Sequence, residues 1–322
     1  MPNIIALIVF GLIVAFLSPL QAQQPLTVRR IGFLSQSGTP TASLAAFRRG
    51  LRELGYIEGQ NIIVEYGLGE RGARLTELAT ELIREKVEVI VAGGPAVSWA
   101  KVATGTVPIV FLFSGDPVEA GFIDSLAQPG RNMTGITWLA FELVGKRLEL
   151  LKEAAPKVSR VAILASPAHA GEQRELRETQ STARALGITL LYHQVNDTAE
   201  VNAALDMVVK ENPNALLVFP DPVTNAHRAQ IVDFAARRRL PSVFGRKEPV
   251  EAGGLISYGP KLDEVYRRVP IYVDKILKGA KPAELPTELP TKFELFINLR
   301  TAKQIGVTIS PNLLARADKV IK

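Results

Sequence analysis

The chain has 322 residues, 47% of them hydrophobic and 22% charged, with a formal net charge of +6 and no cysteine. Absence of cysteine excludes disulfides, thiol catalysis, iron–sulfur clusters and cysteine zinc sites, leaving core burial to hold the fold. The positive charge lies in scattered pairs such as Arg48-Arg49 and Lys146-Arg147. Its one dense run, Arg237-Arg238-Arg239, follows an apolar helical face, where last-turn cations suit a helix C-terminus, so nucleic acid is not an expected partner.

Residues 1–22 carry no charged side chain and are apolar almost without a break from Ile4 to Leu17, closing with Ser18-Pro19 and Leu20-Gln21-Ala22. A run of this length fits a signal-peptide core of about 7–15 residues and falls short of the roughly 18 needed to span a bilayer. Export to the periplasm is expected. No Lys or Arg precedes the run, and a retained membrane anchor is the other reading.

About 300 residues remain, more than one core usually serves, so two domains are expected. From Arg30 onward the chain repeats a short apolar run, a Gly/Ser/Pro-rich turn and a stretch of helical period. The first half reads as strand Ile31–Leu34, helix Thr41–Leu54, strand Ile62–Tyr66, helix Ala73–Glu85, strand Val89–Ala92, a helix from Pro95 and strand Ile109–Phe113. Gly135-Ile136-Thr137 reads as a crossing. A second series follows: helix Phe141–Ala154, strand Arg160–Ala165, helix Glu172–Leu186, strand Thr189–Gln194, helix Glu200–Glu211, strand Ala215–Phe219, helix Asn225–Arg239 and strand Ser242–Phe244. Beyond Gly254 come strand Leu255–Tyr258, helix Leu262–Leu277, a link spaced by Pro282, Pro286 and Pro290, strand Phe293–Leu299 and a last helix near Thr301. The expected fold class is α/β, with two doubly wound parallel-sheet lobes joined by a hinge of several crossings. Lobe 1 is assigned residues 27–137 plus 259–282, and lobe 2 residues 138–258 plus 283–322.

In open α/β sheets ligands gather beyond the carboxyl ends of the strands, where helix N-termini offer unpaired N–H groups. The candidate ligand-binding residues are therefore Ser35, Gln36 and Ser37 after the first strand, Gly94 and Pro95 after the third, and Ser114 and Asp116 after the fourth. Trp138 and Tyr258 join them at two crossings, with His169, Asp221 and Arg246 in the second series. Each has a plain alternative. Ser, Asp, Gly and Pro also cap helices, Asp116 and Asp221 could accept bonds from their own loops, Arg246 could pair with Glu248, and Trp138 or Tyr258 could pack in a core. Catalytic patterns are missing: the chain holds no GxSxG, no phosphate loop ending in GK[ST], no HExxH and no GxGxxG after the first strand. Neither a metal nor a cofactor is expected.

The segments IGFLSQSG, FRRGLRELGYIEGQNIIVEY, FLFSGDPVEAGFIDSLAQPGRNMTGIT, KRLELLKEAAPKVSRVAIL and NLRTAKQIGVTISPNLLARADKVI, in that order, span Arg30 to Ile321. Together they resemble the exported solute-binding proteins of ABC transporters related to the tryptophan/tyrosine-type binding proteins. The resemblance implies a type I periplasmic-binding-protein fold that closes on a small molecule and delivers it to a membrane permease and its ATPase, without catalysis. A monomer that binds an amino acid or aromatic carboxylate is the expected form. The loop Ser166–Gly171 departs from the Asn-Pro-rich version common after this strand, and Asp221–Asn225 matches its counterpart only in part. The alternatives are an exported α/β enzyme using Asp116 or His169, and a sensor that reports to a membrane receptor.

Overall fold

The computed structural model describes residues 28–36, 41–69, 72–167 and 171–322. Strands in its first half pair in parallel: β1 (Arg29–Gln36), β2 (Ile62–Gly69), β3 (Val89–Gly93), β4 (Ile109–Phe113) and β5 (Met133–Thr137) form one sheet in the order β2-β1-β3-β4-β5. Successive residues of each strand face opposite ways, and both faces are apolar because both are covered. Val89 and Val91 join one core cluster with Ile31 and Phe33, while Ile90 and Ala92 join another with Phe111 and Phe113. The helices α1 (Thr41–Glu53), α2 (Gly72–Arg84) and α3 (Ala96–Ala103) connect the first four strands.

The second half begins with α4 (Phe141–Ala154), then alternates β6 (Arg160–Ala165), α5 (Glu172–Leu186), β7 (Thr189–Gln194), α6 (Thr198–Glu211) and β8 (Ala215–Val218). It continues through α7 (Pro222–Ala226), α8 (Arg228–Arg237), β9 (Ser242–Phe244), α9 (Lys247–Glu251) and β10 (Ile256–Pro260). Next come α10 (Leu262–Leu277), β11 (Phe293–Asn298), α11 (Leu299–Ile305), α12 (Pro311–Ala315) and β12 (Lys319–Ile321). The seven strands order as β12-β11-β10-β9-β8-β6-β7.

Four local readings of the sequence change. Gly135-Ile136-Thr137 is the end of β5, a full strand of the first sheet, and a Cβ on Gly135 would lie 2.1 Å from the Phe111 carbonyl oxygen. The expected helix Asn225–Arg239 is two helices, because Asp221 caps a turn that starts at Pro222 and the chain bends at His227. The helix α9 and the terminal pieces α12 and β12 were not foreseen in the pattern. Finally, β11 runs antiparallel to β10, since the chain leaves the second sheet at the end of β10 and re-enters from the same side.

Three segments pass between the sheets, after Thr137, after Pro260 and through 286–292. They are bonded to one another. Thr137 N donates to Glu288 O at 3.0 Å, Glu288 N to Gly135 O at 3.0 Å, and Lys261 N to Lys292 O at 3.0 Å. The signal sequence expected at residues 1–22 lies outside the described residues. No helix among the described residues is long and apolar enough to cross a membrane.

Helix α10, although it follows the second crossing, packs Val265, Val269, Tyr272 and Val273 into the first sheet's core. It meets α1 closely: a Cβ on Gly50 would stand 2.2 Å from Arg267 O and 3.0 Å from Pro270 Cγ. Backbone carbonyl oxygen cannot swing aside as a flexible side chain can. Gly50→Ala should therefore cost roughly 1–3 kcal/mol of stability, as overpacking does, seen as a lower urea midpoint with unchanged slope. An unshifted midpoint would show that α1 and α10 can part freely.

Candidate ligand-binding site

Where the carboxyl ends of the two sheets face each other lies a cavity of about 170 Å³. Ser35 and Gln36 close β1 at its edge, Gly93, Gly94 and Pro95 turn β3 into α3, and Ser114 and Trp138 follow β4 and β5. From the second sheet come Pro220, Pro222, Asn225, Ala226 and Arg228 around α7, with Gly245 and Arg246 after β9. The second crossing and α10 add Pro260, Leu262 and Tyr266. Gly94 sits at φ +58 with open space around it, so it is there for its left-handed backbone rather than for room.

A larger cavity of about 320 Å³ lies behind the crossings, against α1, α10 and 288–292. Each of its charged side chains has an ion-pair partner: Arg267 with Glu53 at 2.9 Å, Lys261 and Lys292 sharing Glu264 at 3.0 Å each, and Arg268 with Glu288. Away from the strand ends and with its charges paired, it offers a solute less than the cleft does.

Seven sequence candidates therefore meet in the cleft, Ser35, Gln36, Gly94, Pro95, Ser114, Trp138 and Arg246, while Asp221, between the lining residues Pro220 and Pro222 in the chain, is not part of the lining. Asp221 is 5% exposed and works as a helix cap. Its Oδ1 accepts Val223 N at 2.8 Å, and its own N–H donates to Thr224 Oγ1 at 3.1 Å. Asp116 is not part of the lining. Its carboxylate accepts Val118 N at 2.9 Å and Arg174 Nη1 at 2.9 Å, with the Arg174 guanidinium 3.6 Å from the centre of the Phe141 ring. Tyr258 is not in the lining either: its ring stacks on Phe293 at 6.1 Å on the core of the second sheet. Ser37 and His169 lie outside the described residues.

Arg246 pairs with Glu248, Nε and Nη2 each 3.3 Å from its oxygens, and both side chains are largely enclosed. Beside them burial pushes the Tyr266 hydroxyl above its ordinary range, a rise opposed by Arg246 and helped by Glu248. A neutral phenol in the wall is the result. Asn225 presents a different feature: its side-chain oxygen is buried in the lining without a hydrogen-bond partner, which leaves an acceptor for a ligand N–H.

Sequence reasoning missed Tyr266, Asn225 and Arg228, because the first sits within helical periodicity and the other two were absorbed into a longer helix. It also counted Arg147 only as one of the scattered cationic pairs. Lys146 is indeed outside, pairing with Glu149 at 3.0 Å, but Arg147 is fully buried. The spacing held the signal, since Arg147 stands three residues after Val144 and four before Leu151 on the buried face of α4.

A cleft built by the strand ends of two wound lobes, with the chain crossing between them repeatedly, defines a bilobal solute-binding protein. This chain belongs to the family of ABC transporter substrate binding proteins, whose profile matches residues 33–321. It is 23% identical over 263 residues to the tyrosine-binding protein of Clostridioides difficile strain R20291, covering 81% of this chain and 75% of that one. A crystal structure of a conserved domain protein from Vibrio cholerae superposes with a TM-score of 0.84 at 27% identity, covering 91% of this chain and 99% of the other. An ABC domain from Streptococcus pneumonia in complex with L-Trp superposes with a TM-score of 0.85 at 24% identity and the same coverage.

Asp221 supplies the test of site against scaffold. As a cap it should cost about 1–2 kcal/mol when replaced by Ala, read by urea unfolding. Stability unchanged in Asp221→Ala, with solute binding abolished, would instead make it a direct ligand contact.

Proposed function

We propose that this chain is the periplasmic solute-binding component of an ABC importer, taking an amino acid or aromatic carboxylate into the cleft between its lobes. The observation that carries the reading is the cavity lined by strand ends of both sheets. A solute seated there touches both lobes at once and stabilises the closed form only by the contacts it makes better in that form. In this reading residues 27–137 with 259–282 move as one lobe, and 138–258 with 283–322 as the other. The crossing segments serve as the hinge.

Trp138 supplies an aromatic surface for a ring. Asn225 Oδ1 is suited to an ammonium or amide proton. The Tyr- and L-Trp-binding relatives favour an aromatic amino acid. The protein works without catalysis and without nucleic acid, as an exported monomer released from an N-terminal signal sequence, and presents its closed form to a permease and ATPase.

The purified protein should melt at a higher temperature with L-tryptophan or L-tyrosine present. A solute at a hundred times its Kd adds about 2.7 kcal/mol to the stability of the folded state. Trp138→Ala and Tyr266→Phe should each shrink the shift while leaving the ligand-free melting point close to its original value. Shifts that persist unchanged in both variants would place the solute outside the cleft.

A further inference from the structure

Behind the cleft lies a charge that the packing of the protein does not account for. Arg147 is 0% exposed, and its Nε donates to the Tyr258 carbonyl at 2.8 Å. Its two terminal nitrogens, Nη1 and Nη2, have no hydrogen-bond partner. Arg147 forms no ion pair among the described residues; the carboxylate of Glu175, buried on α5, favours its charged form, as does the Tyr258 side chain. Enclosing an ion this way is expensive, and a residue of like volume without charge would fill the space at lower cost. Guanidinium remains protonated at any pH the fold survives, so the charge cannot be shed.

The position of that charge is specific. A Cβ built on Gly245 would stand 3.0 Å from both Cζ and Nη2 of Arg147 and 2.8 Å from Pro220 Cγ. Gly245 and Pro220 are themselves lining of the cleft. One layer of backbone and a proline ring thus separate the guanidinium from the cavity, and the glycine is what admits it so close. Across such a thin wall of low polarity a full positive charge acts on whatever occupies the cavity far more strongly than it would through water.

Resting on the reading that the cleft binds a solute, we infer that Arg147 sets the charge preference of the site: from behind Pro220 and Gly245 it favours a solute whose carboxylate lies against that wall. Arg147 is a positioning residue for the anionic group, acting through the wall rather than by contact. Asn225, with its unpartnered acceptor in the same cavity, supplies the opposite polarity.

The experiment titrates the purified protein with amino acids and aromatic acids, each beside its neutral amide (L-tryptophan with L-tryptophanamide, L-tyrosine with L-tyrosinamide, phenylacetate with phenylacetamide), and with neutral sugars. Calorimetry and melting temperature are the readouts, on wild type, Arg147→Met and Arg147→Lys. The expected result is that an acid binds about tenfold or more tightly than its amide, as a charge-assisted interaction warrants. Arg147→Met should lose that ratio while its ligand-free melting temperature stays level or rises, and Arg147→Lys should keep part of the ratio. The acid-to-amide ratio in wild type stands even if Arg147→Met does not fold. Equal binding of acid and amide, binding of a neutral sugar, or a preference retained in Arg147→Met would overturn the inference and leave the cleft reading intact. A fall in the ligand-free melting temperature of Arg147→Met with acid and amide weakened alike would make Arg147 a scaffold residue. No binding by any probe in wild type would remove the cleft reading and the inference together.

Discussion

Everything about the cleft depends on the lacing of the three crossing segments by their own backbone hydrogen bonds. Thr137, Gly135 and Glu288 exchange two of them, and Lys261 with Lys292 adds a third at the next crossing. The Thr134 hydroxyl adds a bond to Leu285 O at 2.6 Å. A single connecting strand would leave the sheets free to twist about it. Segments tied side by side resist twist and shear but still allow a small, shared change of backbone angles, so the sheets can approach or part along one path. That restriction keeps the carboxyl ends of both sheets aimed at the same space.

Across the gap ion pairs already join the lobes. Arg174 on α5 reaches Asp116 at 2.9 Å and Glu119 at 3.1 Å after β4, Arg177 reaches Glu119 at 4.0 Å, and Lys247 on α9 reaches Asp263 on α10 at 2.8 Å. All are partly open to water, where such pairs contribute about 0.2–1 kcal/mol each. Moving an equilibrium from mostly open to mostly closed takes about 5.5 kcal/mol. The pairs fall short of that sum and act as guides to register. In the proposed reading the rest of the closing energy comes from the contacts a solute makes with both lobes at once.

Much of the fold was legible because covered parallel sheets force a simple pattern on the chain. Runs such as Val89–Gly93 and Ile109–Phe113 are apolar at every position, and each is followed by Gly, Ser or Pro and then by a helix. Strand ends were therefore visible, and the end of β1 and the turns after β3, β4 and β9 could be named as candidate walls of the cleft. What stayed hidden depends on which neighbour a residue meets. Asp116 and Asp221 look alike in sequence, each before a proline at a strand end, yet one is held by an arginine from α5 and the other by the first turn of α7. Tyr266 reaches the cleft only because α10 packs against the first sheet after the chain has left the second, a fact of topology that periodicity does not carry. Arg147 was hidden by its type, since a charged residue on a helix is ordinarily taken to face water.

The composition of the lining explains why the family does not determine the solute. Glycine, proline and alanine make up much of the wall, at Gly93, Gly94, Pro95, Pro220, Pro222, Ala226, Gly245 and Pro260. Such residues set the shape of the space and expose backbone, but they distinguish one small solute from another only weakly. In the proposed reading discrimination falls to the larger side chains, Gln36, Trp138, Asn225, Arg228, Arg246, Leu262 and Tyr266. These arrive from separate stretches of chain and meet only when the lobes are assembled. A change at any one of them would alter the preferred solute without disturbing a strand or a core cluster, so the same scaffold can serve different solutes. Charge answers to a different residue, because the guanidinium of Arg147 lies behind Gly245 and Pro220 rather than in the lining, so it can change without altering the shape of the wall.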